Sequence, residues 1–328
     1  MTAKKNIAFV TGGYSGEAVI SYKSAITIEN NLDSEKYNIY KIDITPQGWW
    51  YIWPDGRKTA VDKTDFSINL GEHIRFDAVF IGIHGTPGED GKLQGYFDLL
   101  NIPYTSCDAA TSALTFNKRF TVAVAAFAGI NVAKSLHLFK HSPTTPEQIT
   151  RQLKLPVFVK PNNGGSSIGM SKVSKPEELA AALQKAFKED DQVLVEEFIT
   201  GREFTIGVFR SKGEIITLPF TEVKTHKEFF DFEAKYTPGM SEETTPAQVD
   251  ESVAEKVRAT AKKVYAVFNC RGIVRMDFIY NEEKGEPYLL EINTVPGQSE
   301  ASIVPQQVRA NNWVLKDFYS KLIDACFE

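Results

Sequence analysis

Two short segments near the C-terminus, Arg275-Met-Asp277 and Glu291-Ile-Asn293, carry the side chains best suited to chemistry. Residues i and i+2 of a strand share a face, so each segment points its two polar side chains one way. A turn at 281–286 makes the strands antiparallel neighbours, and we expect the four side chains to meet on one patch. Two carboxylates about 4 Å apart repel by about 4 kcal/mol at an effective dielectric near 20. The oxygen-rich set therefore predicts Mg²⁺ shared with phosphate oxygens, with a solvated hairpin as the alternative.

A lysine followed by a Gly/Ser-rich turn, Lys160 to Gly169, is a second candidate. Such a turn brings backbone N–H groups close to phosphate oxygens, and the lysine adds a point charge. The segment lacks the spacing of a P-loop, and a flexible surface loop is the alternative. Another glycine turn, Gly12 to Gly16, does not satisfy the dinucleotide pattern G-x-G-x-x-G. His84 follows an apolar strand, where ligands of open α/β sheets collect, although a structural histidine is equally compatible with that position.

The elements that must position these residues change character along the chain. The first third alternates short β-rich runs with helical patterns, which is typical of a parallel α/β sheet, and residues 46–58 indicate a β-ribbon at its edge. A small α+β unit with a long helix over residues 117–129 follows. Residues 225–248 lack clear periodicity but are rich in aromatic residues, which favours a lid over a disordered linker. The strands 273–280 and 287–293 then carry the polar patch.

Composition excludes several classes of protein. With 37 Lys and Arg against 42 Asp and Glu among 328 residues, the net charge of -5 does not favour nucleic acid. The length suggests about two domains, with three open. The longest apolar stretch, 120–133, is interrupted and too short to span a bilayer, and the N-terminus has no signal-peptide pattern, so we expect a cytoplasmic protein without a membrane partner. Three widely spaced cysteines predict reduced, structural thiols.

Taken together, the motifs resemble those of the D-alanine–D-alanine ligases, members of the ATP-grasp superfamily. The resemblance covers nearly the whole chain and rests on the following segments: Gly12-Gly-Tyr-Ser-Gly-Glu17, His84 to Gly95, Lys160-Pro to Gly169, Glu-Ala-Lys-Tyr236, Arg275-Met-Asp277 and Glu291 to Gly297. It implies an ATP-grasp fold of α/β and α+β parts behind an N-terminal parallel α/β domain. It also implies three domains, 1–115, 116–202 and 203–328, with a lid at about 225–248 and ATP held between the last two.

The implied reaction is the joining of two D-alanines for peptidoglycan precursor synthesis. ATP phosphorylates the carboxylate of the first D-alanine to an acyl phosphate, and the amine of the second D-alanine attacks it. Two Mg²⁺ ions, replaceable by Mn²⁺, assist this transfer. The resemblance also implies a homodimer whose only other partners are small molecules.

The resemblance assigns roles residue by residue. Metal ligands would be Asp277, Glu291 and Asn293. The nucleotide would be bound by Lys118, Lys160, Ser166, Ser167, Glu196, Glu197, Ile199, Glu203 and Lys235. Glu17 would take the ammonium of the first D-alanine and form a hydrogen-bonded set with Ser166 and Tyr236, and His84 would lie beside this substrate. Arg275 and the N–H of Gly297 would stabilise the oxyanion, Lys235 would reach the transferred phosphoryl group, and Ser302 would bind the carboxylate of the second D-alanine.

Some positions depart from the family pattern, and other functions stay open. Gln298-Ser299 replaces the usual Met-Thr, Ala301 stands where a polar residue is common, and Asn117 replaces an Asp. Tyr236 favours the dipeptide over a D-alanine–D-lactate ester, which is the alternative together with a ligase for another small amino acid. From other classes we considered a non-catalytic nucleotide-binding regulator, which would lack the metal carboxylates or Arg275, and an NAD-dependent dehydrogenase, which would need the missing fingerprint.

Overall fold

The computed structural model describes residues 3–142, 144–164, 168–225 and 241–328. The strands are β1 Lys5–Gly12, β2 Tyr37–Thr45, β3 Gly48–Ile52, β4 Lys58–Ala60, β5 Ile68–Asn69, β6 His73–Ile74, β7 Ala78–Ile81, β8 Ser135–Phe139, β9 Val157–Pro161, β10 Ser171–Val173, β11 Gln192–Glu197, β12 Arg202–Ser211, β13 Glu214–Thr217, β14 Thr221–Thr225, β15 Ser241–Thr244, β16 Val274–Asn281 and β17 Glu286–Asn293. The helices are α1 Ala18–Asn31, α2 Lys92–Leu99, α3 Ala109–Phe116, α4 Lys118–Phe127, α5 Pro146–Thr150, α6 Leu179–Glu189, α7 Glu251–Val267, α8 Ile303–Ala310 and α9 Leu315–Asp324, with short 3₁₀ turns at Pro176–Glu178 and Ala325–Phe327.

The N-terminal sheet has the order β4-β3-β2-β1-β7. Strand β1 pairs in parallel with β2 and β7, and β3 and β4 continue the sheet antiparallel as the expected edge ribbon. Residues Ile7 to Gly12 of β1 are all buried, as expected for a parallel strand covered on both faces. The carboxyl ends of β1 and β7 therefore meet at one edge, where the Gly12 turn and His84 lie.

Two antiparallel sheets follow. The central sheet, β10-β9-β11-β8, packs against α6, whose buried face includes Leu179, Leu183 and Ala186. The C-terminal sheet runs β15-β14-β12-β16-β17, with β13 also paired to β12. Helix α7 covers it through Val257, Ala261 and other residues at helical spacing.

The last two helices return to the N-terminal sheet. Helices α8 and α9 share a hydrophobic core with β1, β7 and α1, and the rings of Phe80 and Tyr319 lie 5.4 Å apart, edge to face. This packing ties the end of the chain to its beginning, and it brings the loop after β17 against α1.

The C-terminal part of the segment predicted as a lid, residues 225–248, contains a strand. Residues 241–244 form β15, which pairs with β14, whereas the prediction placed them in a loop. The sequence Ser-Glu-Glu-Thr has no apolar alternation, so its strand conformation depends on pairing with β14. The rest of the expected lid, residues 226–240, lies outside the described residues. In the described part of the chain, we find no helix with the length and hydrophobicity of a membrane span.

Candidate active site

The hairpin of β16 and β17 brings the four expected polar side chains together. Arg275 lies opposite Asn293 and Asp277 opposite Glu291, and the register shifts immediately after Asp277. All four line a cavity of about 990 Å³. Their convergence, which followed from strand periodicity and the predicted turn, is confirmed.

Arg275 is the cation of this patch. Its Nε and Nη2 donate to Asp277 Oδ1 and Oδ2 at 3.0 and 2.9 Å, and Nη2 also reaches Glu291 Oε1 at 3.4 Å. Burial alone would lower the pKa of Arg275, but the two carboxylates outweigh it and raise that pKa. Asp277 accepts a further hydrogen bond from Thr205 Oγ1 at 2.5 Å. The carboxylates are thus compensated within the protein.

The donor set fits a magnesium ion. Asn293 Oδ1 is buried beside the carboxylates and, among the described residues, has no hydrogen-bond partner. The described residues contain no group of three or more His, Cys, Asp and Glu that could hold a metal by themselves. Two carboxylates and an amide oxygen instead suit Mg²⁺, which keeps several positions for phosphate oxygens and water.

The predicted nucleotide residues line the same cavity, between the central and C-terminal sheets: Lys118, Lys160, Glu196, Glu197, Ile199 and Glu203. Lys160 and Glu196 form an ion pair that is largely shielded from solvent. Lys118 Nζ donates to Gly164 O at 2.6 Å, which ties helix α4 to the glycine-rich loop. Asn117 retains the helix cap despite replacing an Asp, because its side chain accepts from the Phe120 N–H. Ser166, Ser167, Lys235 and Tyr236 lie outside the described residues.

The N-terminal domain supplies Glu17 and His84 to the opposite wall of the cavity. Glu17 is the N-cap of α1, and its carboxylate lies against Gly85, where an added Cβ would be 2.4 Å from Glu17 Oε2. Both ring nitrogens of His84 are engaged, Nδ1 with Val295 O at 2.7 Å and Nε2 with Ser24 Oγ at 2.9 Å. Burial lowers the pKa of His84 to about 4, so the ring is neutral.

Sequence reasoning missed Glu89. Its carboxylate is buried, accepts from the Gly85 N–H at 2.5 Å and from the Val295 N–H, and faces Glu17 and Arg275. Burial, reinforced by the Glu17 carboxylate, raises the pKa of Glu89 to about 8. The sequence signal that could have identified Glu89 is its position in the glycine turn that follows the buried strand β7. Ligands collect at such turns, and a buried carboxylate there with a shifted pKa is a candidate functional group.

The loop after β17 holds Gly297 and Ser302. Ser302 precedes α8, and its hydroxyl lies 2.7 Å from Ser299 Oγ. A Cβ on Gly297 would be 2.9 Å from Ser302 Oγ, so a side chain there would crowd this hydroxyl pair. Gly297, Ser299, Ala301 and Ser302 all line the cavity. Ser299 and Ala301, two of the departures from the family pattern, therefore lie beside the predicted second-substrate site.

Known proteins share both the sequence and this arrangement. Residues 6–107 match the model of the D-ala D-ala ligase N-terminus and residues 116–324 that of its C-terminus. A D-alanine–D-alanine ligase of Parabacteroides distasonis is 45% identical, with 98% of this chain and 97% of the relative covered. The crystal structure of the VanG D-Ala:D-Ser ligase from Enterococcus faecalis has a TM-score of 0.88 at 31% identity, covering 99% of this chain and 100% of that one. A Bacillus anthracis D-alanine–D-alanine ligase complexed with ATP has a TM-score of 0.79 at 25% identity, covering 98% and 97%.

The two antiparallel sheets around a polar cavity, behind a parallel α/β sheet, are the ATP-grasp fold, as expected. Proteins of this class use ATP to activate a carboxylate. Within the class, the chain belongs to the D-alanine–D-alanine ligase family.

Proposed function

We propose that this protein joins two D-alanines to D-alanyl-D-alanine in an ATP-dependent reaction that proceeds through an acyl phosphate. One observation carries the proposal: a single cavity is lined by Arg275, the oxygen-ligand set of β16 and β17, Lys160 of the central sheet and Glu17 of the N-terminal domain. A free carboxylate needs activation before an amine can displace its oxygen. This cavity combines the charges for phosphoryl transfer with an anchor for an amino-acid substrate.

The nucleotide side of the cavity performs the activation. Lys118 and Lys160 bind the ATP phosphates, and Ser166, Ser167 and Lys235 complete the phosphate contacts. Glu196, Glu197 and Ile199 line the adenine site, and Glu203 contacts the ribose. Asp277, Glu291 and Asn293 would hold two Mg²⁺ ions, or Mn²⁺ in their place, and these ions would supply positive charge to the phosphates.

The substrate side performs the condensation. Glu17 binds the ammonium of the first D-alanine and forms with Ser166 and Tyr236 the hydrogen-bonded set that closes the lid. His84 lies beside this substrate, held by its contacts with Val295 O and Ser24 Oγ. Arg275 and the Gly297 N–H donate to the oxyanion as the tetrahedral intermediate forms, where preorganised donors lower the barrier most. Ser302 binds the carboxylate of the second D-alanine.

Relatives of this chain differ in their second substrate, since the VanG neighbour is a D-Ala:D-Ser ligase. Ser299, in place of a common Thr, keeps a hydroxyl here without the methyl group of Thr, and this hydroxyl lies 2.7 Å from Ser302 Oγ. D-Serine is therefore the second candidate, and D-lactate is the third.

The test measures phosphate release from ATP and Mg²⁺ with D-alanine alone and with D-alanine plus D-serine or D-lactate, with products identified by mass. L-Alanine is the control. We expect D-alanine-dependent release and D-alanyl-D-alanine as the main product. A main product containing D-serine or D-lactate would change the second substrate and leave the mechanism intact. No release with any substrate would favour the non-catalytic regulator.

Three broader assignments belong to the same proposal. We place the boundaries of the three domains at 1–115, 116–202 and 203–328, because each span contains one of the large sheets.

We propose a homodimer, since Val19, Tyr22 and Ile26 form an exposed apolar stripe on α1. Cytoplasmic location follows from the need for ATP. Light scattering of the wild type against Ile26→Glu tests the dimer, and cell fractionation tests the location.

A further inference from the structure

The loop that presents the Gly297 N–H is held at both of its ends by one buried group of side chains. Val295 O accepts from His84 Nδ1 at 2.7 Å, and the Gln298 N–H donates to Ser24 Oγ at 3.0 Å. Ser24 Oγ and His84 Nε2 are 2.9 Å apart, which closes the connection. Gly297 lies between the two anchored residues, and Ser24 belongs to α1, 274 positions away from Gln298 along the chain.

The hydrogen bonds of this group have only one consistent set of directions. A carbonyl oxygen can only accept, so His84 Nδ1 carries the proton, and Nε2 of the neutral ring must accept. The Ser24 hydroxyl therefore donates to Nε2, while its oxygen accepts from the Gln298 N–H. Burial lowers the pKa of His84 to about 4, so the ring is neutral near pH 7, and the Val295 carbonyl fixes its tautomer. Within this hydrogen-bonded group, the Ser24 hydroxyl both donates to His84 and accepts from the loop.

Burial and side-chain contacts make the arrangement stiff. Ser24 is fully buried, and His84 and Gln298 are also buried. The Gln298 side chain bonds inside and outside the loop, with Nε2 donating to Pro296 O at 3.2 Å and Oε1 accepting from Tyr319 OH at 3.1 Å. A buried, fully paired polar network of this kind resists rearrangement, because each broken bond leaves an unsatisfied group.

We propose that Ser24 is a positioning residue for the reaction: by anchoring His84 and Gln298, it holds the Gly297 N–H in the orientation that meets the oxyanion. Ser24 is absent from the described residues that line the cavity, so it acts through the loop without touching a substrate. The inference rests on the proposed function, in which Gly297 donates to the tetrahedral intermediate. Because that donor acts only in the transition state, loosening it lowers kcat and leaves ground-state binding nearly unchanged.

The test compares Ser24→Ala and Ser24→Cys with the wild type in the full-length protein. Ser24→Cys keeps a weak donor and acceptor of similar size. The matched control is Ser112→Ala on α3, which removes another fully buried serine hydroxyl. That hydroxyl donates to Cys107 O at 3.2 Å. For each protein we measure kcat, the KM for ATP and both D-alanine KM values, the Tm, and the affinity for a phosphinate dipeptide that mimics the tetrahedral intermediate.

For Ser24→Ala we expect kcat to fall by about 10- to 100-fold, less than for complete loss of an oxyanion donor. Phosphinate affinity falls in parallel, KM values change by less than about 3-fold, and Ser24→Cys lies between Ala and wild type. Ser112→Ala lowers Tm without changing kcat by more than about 2-fold. An unchanged kcat in Ser24→Ala, or in Ser24→Cys if Ser24→Ala does not fold, would overturn the inference. Equal changes in kcat and every KM would also overturn it, since they would indicate general distortion.

The wild-type reaction separates the two proposals. If the wild type forms no dipeptide, the proposed function fails, and the role of Ser24 fails with it. If the wild type is active and Ser24→Ala is equally active, only the role of Ser24 fails.

Discussion

Arg275 and Asp277, two residues apart on β16, bind each other through two hydrogen bonds of 3.0 and 2.9 Å. The guanidinium thus occupies both oxygens of a carboxylate that we assign to magnesium, and it also reaches Glu291, the second carboxylate. Arg275 compensates this charge in the protein itself, whereas ATP and magnesium would bring further charges of both signs. The same arginine therefore contributes to the stability of the site and, in our proposal, to the chemistry.

The first prediction concerns this pair. Arg275→Ala leaves a buried carboxylate without its partner, and we expect the free energy of unfolding to fall by about 3 kcal/mol. Turnover should be abolished. Mg²⁺ with ADP should restore more stability to the variant than it adds to the wild type, because it supplies the missing positive charge. Denaturant unfolding with and without Mg²⁺–ADP measures both effects.

The control for this prediction is Arg57→Ala, which removes an arginine from an exposed pair with Asp55. Such pairs contribute little, so its stability should change by less than about 1 kcal/mol. Equal stability of Arg275→Ala and the wild type would contradict the structural role of the buried pair.

A second prediction concerns Gly85, which has a φ of 68° and lies against the Glu17 carboxylate. In Gly85→Ala the new methyl group would lie 2.4 Å from Glu17 Oε2, so the carboxylate must move. We expect the KM for the first D-alanine to rise by at least about 10-fold, because one displaced ion pair is worth about 1.4 kcal/mol or more. Steady-state kinetics at saturating ATP measures this.

Gly56→Ala is the matched control, because Gly56 has a φ of 85° but no neighbour within 4 Å of an added Cβ. Both substitutions carry the backbone cost of a left-handed residue, and only Gly85→Ala disturbs Glu17. Equal kinetic effects in the two variants would show that backbone strain, and not displacement of Glu17, is responsible.

The third prediction is a pH dependence that depends on Glu89. Because its pKa is raised from 4.5 to about 8, the native protein keeps a proton that the unfolded chain releases between these values. Stability therefore falls as pH rises through this window. Glu89→Gln cannot titrate, so the unfolding free energy of the wild type minus that of the variant should decrease from pH 5 to 8, by at most about 1.4 kcal/mol per pH unit.

Denaturant unfolding of both proteins at several pH values gives this difference. His84, with its lowered pKa, acts in the opposite direction below its ordinary value of 6.5, since the unfolded chain then binds the additional proton. That contribution is common to the two proteins and cancels. A difference that stays flat from pH 5 to 8 would show that Glu89 is ionised throughout.

The fourth prediction concerns the thiols. Cys107 and Cys270 are buried against each other, and the hydrogen bond to Cys107, together with burial, raises the pKa of Cys270 well above its ordinary value. Burial also raises the pKa of Cys326 to about 12. Cys107 is fully buried, and Cys270 is buried and stays in its unreactive thiol form, so iodoacetamide at pH 8 should leave both unmodified and turnover unchanged. Mass spectrometry after labelling checks this, with unfolded protein as the control, and inactivation of the native protein by labelling would contradict it.

Local patterns predicted several elements correctly. Helix α4 and both strands of the C-terminal hairpin lie within a few residues of their expected positions at 117–129, 273–280 and 287–293. Helices α3 and α5 were not predicted, and neither was β15. Helix α5 has only five residues and β15 only four, which is too short for a periodicity signal.

By itself, the sequence determined which residues could meet on one strand face. Arg275 with Asp277, and Glu291 with Asn293, share a face because the period of a strand is two residues, a property of the backbone that needs no partner. The same is true of the glycine turns, because glycine itself permits the positive φ angles that these turns need. The motif resemblance added the family, since its segments occur in a fixed order.

Tertiary structure decided which of these faces and turns meet. The register of β16 on β17, the enclosure of Glu89 beside Glu17, and the contact of Ser24 with Gln298 across 274 positions all depend on how the cores pack. Helices α8 and α9 fold back onto the N-terminal sheet, and that burial presses the Gly297 loop against α1. Hydrophobic burial is non-directional and depends on total area, so no local spacing in the chain specifies which distant polar groups it will bring into contact.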